Sequence, residues 1–306
     1  MLYTTTRSKA DTYTDYRTLF EDRAPNGGFF VPFCIPKLDD RQLADLEDKS
    51  FGETVAFILN LFYSGRITAW DVDCSIGKVP VKIIAVDHKV FLANLWDNPQ
   101  GNYSCFSHKI YEKLSDGKAS EVSEWANIAI RISFLFGIYG LLKKMHIESF
   151  DISVNSGNFS LPMAVWYARY MGLPVRKIIC TCDDSSLLWE FLHRGELDTE
   201  LLDSKSCVER LIYSTLGYEE IQKYMGVLAQ KGFYRVSSEQ LRLLSRDLFV
   251  SVVGKNRSDS AIASFYAANN VRLDSGAATS YCGLQDYRSK TGESTPTVLL
   301  SDILPV

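Results

Sequence analysis

The apolar positions of this chain fall into two regimes. Up to about residue 80 they recur at helical spacing, and from residue 150 they form short solid runs between amphipathic stretches. In the first regime Asn26-Gly27-Gly28 is a turn signal. It is followed by the strand-like Phe29-Phe30-Val31 and a stop at Pro32. Helices are predicted over 41–49 and 51–63, the second carrying Val55, Ile58, Leu59 and Phe62 on one face. The expectation is a compact α-rich N-terminal unit over residues 1–80 and a second domain over 81–306.

A strand pair follows, 81–86 and 90–94, around the polar turn Asp87-His88. Residues 95–106 read as a loop feeding a short helix near 106–114. The polar stretch 115–120 then leads into a long helix over 121–145, apolar on most faces and so predicted to be buried on most sides. From Phe150 the pattern is strand 151–154, tight loop 156–160, helix 161–170, strand 175–182 and helix 184–192. Strands alternating with helices of this length predict an α/β layered fold with a parallel-rich sheet. Helices near 206–230, 237–246 and 258–268 and strands at 248–253 and 297–300 complete the prediction.

Composition narrows the class. The chain has 306 residues, 46% hydrophobic and 23% charged, with 19 Gly and 9 Pro, which excludes a disordered or collagen-like chain. A net charge of -4, with no Lys/Arg run longer than two, argues against a nucleic-acid face or a polybasic membrane footprint. The apolar run 132–142 is too short to cross a bilayer and is bracketed by Arg131 and Lys143. The first residues lack the apolar segment of a secretory signal, so a cytoplasmic protein is expected, its seven Cys reduced.

Three local features carry candidate chemistry. In 154–162 a strand ends, a polar turn with Gly157 follows, and a helix begins with Pro162 in its first turn. Free backbone N–H groups at such a helix start, with Ser and Asn donors, suit a phosphate. A strand-to-helix turn also needs Gly and a polar cap for backbone reasons alone. Cys180 and Cys182 share one face of a strand, but no second Cys or His pair stands at metal spacing, so they read as buried thiols and no metal is expected. Ser104, Cys105 and His108 invite a nucleophile-and-base reading, although no orienting third group accompanies them.

Several segments, in order, resemble the threonine synthase family. Tyr3-Thr4-Thr5-Thr6-Arg7 is similar to the family's Y-x-S-T-R-G, and Ala24-Pro25-Asn26-Gly27-Gly28-Phe29-Phe30-Val31-Pro32 to A-P-D-G-G-L-Y-V-P. Ser123-Glu124-Trp125-Ala126-Asn127-Ile128 resembles S-I-N-W-A-R-I, and Ser156-Gly157-Asn158-Phe159-Ser160 resembles the phosphate loop T-G-N-F-G. Thr295-Pro296-Thr297-Val298-Leu299-Leu300-Ser301 resembles T-P-x-V-x-L-S. The resemblance implies the three-layer fold of type II pyridoxal-phosphate enzymes, like tryptophan synthase β. It also implies a cofactor site at Ser156, Gly157, Asn158, Phe159, Ser160 and Ser301.

The resemblance also exposes losses. The family's coenzyme-binding Lys falls on Ser104, whose hydroxyl cannot form an imine; Lys109, five residues on, points roughly 140° away on a helix. Where the family carries several dozen residues of a small mobile lid domain, only 115–124 remain here, so that domain is expected to be largely deleted. The family's D-P-H-T-A-V reads Asp274-Ser275-Gly276-Ala277-Ala278-Thr279 without its His. The Thr that faces the pyridine nitrogen falls on Asp302.

The expectation is a threonine-synthase-like protein without threonine synthase activity and without covalently held pyridoxal phosphate. It is a binding, regulatory or assembly partner, as a homo-oligomer or with a true threonine synthase. The alternative is a pyridoxal-phosphate or phosphometabolite-binding protein with residual or altered O-phosphohomoserine or amino-acid lyase activity. Lys109, Cys105 and His108 are then the catalytic candidates.

Overall fold

The structure is a computed structural model describing residues 1–77, 81–87, 89–95, 101–118, 121–157, 159–182, 187–198 and 206–302. The chain opens with three strands, β1 (Leu2–Thr5), β2 (Ser8–Thr14) and β3 (Phe30–Pro32), paired antiparallel in the order β2-β1-β3. The N-terminal unit is therefore not purely α-rich. Its threonine-rich β1 and mostly exposed β2 lack the apolar alternation that announces a strand. Helices α1 (Asp40–Ala44), α2 (Phe51–Phe62) and α3 (Ala69–Ile76) follow. Each starts at a capping box, Asp39 with Gln42, Ser50 with Glu53 and Thr68 with Asp71, which fixes where the helix begins.

Next come β4 (Lys82–Asp87) and β5 (Val90–Asn94), then α4 (Tyr103–Leu114) and α5 (Glu124–Lys143), joined by residues 115–123. The expected loop over 95–106 ends early because Asn102 caps α4, its side chain accepting from Cys105 N. β6 (Phe150–Asn155), α6 (Ser160–Tyr170), β7 (Val175–Cys182) and α7 (Leu187–Arg194) form the predicted alternation. After β8 (Glu196–Asp198), the helix expected near 206–230 is broken in two, α8 (Ser206–Leu216) and α9 (Tyr218–Lys231), at Gly217. β9 (Phe233–Arg235), α10 (Ser238–Ser245), β10 (Leu248–Val252), α11 (Lys255–Asn269), α12 (Ser275–Thr291) and β11 (Thr297–Ser301) complete the chain.

The central sheet has six strands in the order β10-β7-β6-β11-β5-β4, parallel except for the antiparallel edge pair β4/β5. The helices cover its faces, so its inner strands read as solid apolar runs. Helix α5 is long and apolar enough to cross a membrane, but 83% of its most apolar stretch is buried within the fold. It is the core helix.

Trp125 on α5 joins the N-terminal unit to the sheet domain. Its ring packs edge-on against Tyr3, Phe62 and Tyr167, with centroids 5.4–5.9 Å apart, and its Nε1 donates to Tyr3 Oη at 3.0 Å. Nearby, the fully buried Arg210 on α8 donates to Phe30 O at 3.1 Å and to Glu124 at 2.5 Å. Arg7 grips the buried Glu209 through two bonds, 3.0 and 2.8 Å. Residues of 1–80 and of 81–306 thus share one core.

Candidate functional site

Ligands of parallel sheets bind beyond the carboxyl ends of the strands. At the ends of β6 and β11 lies a cavity of about 270 Å³. Ser156, Gly157 and Ser160 line it, with Arg131 from α5, Asp274 before α12 and Asp302 after β11. Phe159, the residue before α6, makes no side-chain cap bond, is left-handed at φ 67 and has its ring buried. The start of this 11-residue helix therefore borders the cavity with its partial positive charge. Gly157 has φ +39, a conformation that favours glycine, and its N–H donates to the Asn155 side chain at 2.9 Å. Ser156 donates to Cys182 Sγ at 3.1 Å, which gives that buried thiol a structural role.

Arg131 is the cation of this cavity. Its Nη1 donates to Asp302 Oδ2 at 3.2 Å, and its guanidinium lies 4.2 Å from the Tyr103 ring centroid. The two side chains keep 18% and 25% of their exposure. Arg131 Nε and Asp302 Oδ1 are buried without a hydrogen-bond partner among the described residues. Two opposite charges thus line the space beside the helix start. The sequence signal for this was a lone Arg in an otherwise apolar buried helix, which demands a partner inside the fold.

The other candidates lie elsewhere. Phe159 points into the core, and Ser301 is fully buried and donates to Asp274 Oδ2 at 2.6 Å. Asp274 in turn caps α12 by accepting from Ala277 N at 2.7 Å. Asn158 lies outside the described residues. Ser104 and Cys105 are exposed on the first turn of α4, and no side-chain hydrogen bond joins either to His108. The His108 ring faces Glu112 one turn on, at 3.6 Å. Lys109 does not line the cavity.

These residues fit a small anion and not a coenzyme tethered through an amine. Among the described residues no lysine lines the cavity, so nothing there forms an imine with an aldehyde. The Asp302 carboxylate at the end of β11 is already paired with Arg131. Among the described residues, no group of three His, Cys, Asp or Glu side chains is placed to hold a metal.

Residues 2–78 match the family described as threonine synthase N terminus. Threonine synthase-like 1 of Mus musculus is 33% identical over 78 residues, 24% of this chain and 10% of that protein, so the chain spans a small part of the relatives it matches. By structure, the pyridoxal-phosphate-bound threonine synthase of Brucella melitensis superposes with a TM-score of 0.84 at 17% identity. The match covers all of this chain and 89% of that one. The yeast threonine synthase also gives 0.84, at 16% identity over 99% of this chain and 87% of its own. The fold is therefore that of the type II pyridoxal-phosphate enzymes. Within that class the similarity is to threonine synthases, by sequence over residues 2–78 and by fold over the whole chain.

Proposed function

We propose that this chain is a threonine-synthase-like protein that has lost threonine synthase activity and keeps the cavity at 156–160 as a site for a small phosphorylated or otherwise anionic metabolite. One observation carries the reading: the cavity is lined by Arg131 and a helix start, and by no amine among the described residues. The anion sits at the start of α6, and Arg131, which also lines the cavity, supplies a positive charge. Asp302 holds the guanidinium in place and offers an acceptor to a ligand donor. Only residues 115–123 join α4 to α5, which leaves no room for a lid domain there and supports the loss of chemistry that needs water excluded.

Such a protein acts through binding, as a regulatory or assembly partner in the cytoplasm, in a homo-oligomer or with an active threonine synthase. Thermal unfolding with inorganic phosphate, pyridoxal phosphate and O-phosphohomoserine, beside an assay for threonine, tests it. A ligand that binds only the native state raises the melting temperature. The expected result is a saturable rise with no threonine formed. Threonine formation, or no rise with any of the three, overturns it.

A further inference from the structure

Further along α6 lies a larger cavity of about 650 Å³, separate from the strand ends and inside the size range of small-molecule sites. One wall is the segment after β3, where Pro32 and Pro36 fix the backbone. The facing wall is aromatic: Trp166 and Tyr170 stack at 10° with centroids 5.5 Å apart, and Tyr213 and Tyr218 close the end. Lys9 and Lys37 are its only charged lining residues among those described. Lys9 is held by Glu219 at 2.6 Å. Lys37 lies 4.6 Å over the Tyr170 ring and makes no ion pair among the described residues.

We infer that this groove binds a small organic acid with a flat apolar body. Rigid rings offer a large apolar contact at little entropic cost, so the flat body lies along the Trp166–Tyr170 wall. Its carboxylate, sulfonate or phosphate meets the Lys37 ammonium at the rim, the one lining charge without an ion pair among the described residues. Cations are disfavoured, because lysines already lie over the Tyr170 and Tyr218 ring faces.

Anilinonaphthalene sulfonate, a flat aromatic anion, is the probe. With the whole chain, the expected result is one saturable fluorescent site with energy transfer from tryptophan. Lys37→Glu and Tyr170→Ala should each weaken binding about tenfold or more, equivalent to about 1.4 kcal/mol. Both variants should keep the parent melting temperature, which separates lost binding from lost folding. Arg131→Gln, at the other cavity, should leave probe binding unchanged, so this inference and the proposed function fail independently. Three results overturn it: no saturable site, binding indifferent to Lys37→Glu, or sedimentation showing that a second copy covers the groove.

Discussion

Arg131 and Asp302 meet at 3.2 Å beside the cavity at the ends of β6 and β11. The pair joins the middle of the core helix α5 to the end of the central strand β11, and Tyr103 at the start of α4 packs on the guanidinium. Removing one partner strands the other charge in a mostly buried place.

Arg131→Met is expected to cost about 1–3 kcal/mol. It should also abolish the stabilisation given by inorganic phosphate. Asp302→Asn should cost less and leave phosphate binding intact or tighter, because it frees the guanidinium. Thermal unfolding with and without phosphate reads both. Equal phosphate stabilisation in Arg131→Met and the parent contradicts the site.

Trp125 is the contact through which the N-terminal unit and the sheet domain share a core. Trp125→Ala should cost about 3–5 kcal/mol, from lost transfer energy and a cavity that three flanking rings cannot close. Tyr3→Phe removes the acceptor of the indole N–H and the hydroxyl's own bond to Phe62 O, and should cost about 1 kcal/mol. Urea unfolding by two probes should show one transition in the parent, as a shared core requires.

Glu209 is completely buried and takes two bonds from Arg7 and one from Thr6, tying the first strands to α8. Glu209→Ala takes from Arg7 both of these bonds and should cost about 2–4 kcal/mol. It should also speed tryptic cleavage at Arg7 well before global unfolding. Unchanged cleavage there contradicts the tie.

The sequence makes the parallel alternation from residue 150 legible because those strands are buried on both faces and their helices are not. Helix α12 escapes it for a physical reason. Its packed face is small residues, among them Ala277, Ala278 and Gly283, and a Cβ at Gly283 would stand 1.9 Å from the Thr181 methyl. Close approach through glycine leaves no apolar periodicity to read. At the cavity, the turn at 156–160 was visible as a polar break between strand and helix. The pairing of Asp302 with Arg131 was not, because the two lie 171 positions apart along the chain.

Burial raises the Asp151 carboxyl to about 6, against the opposing Arg176 guanidinium. The folded state therefore keeps a proton that the unfolded chain releases near pH 4. Stability is greatest below that point and falls as pH rises through about 6, by about 1–2 kcal/mol from this group. Asp151→Asn should remove the fall, so the two proteins' urea midpoints should diverge between about pH 4 and pH 7, the variant being the more stable at the upper end. Parallel profiles contradict the assignment.

The most direct test of the central claim is to incubate the protein with pyridoxal phosphate, reduce with borohydride and map the modified peptides beside the visible spectrum. The account predicts no stoichiometric absorbance band and only scattered, partial labelling of surface lysines. A full-occupancy band removed by borohydride, with one lysine labelled beside the cavity at 156–160, contradicts it.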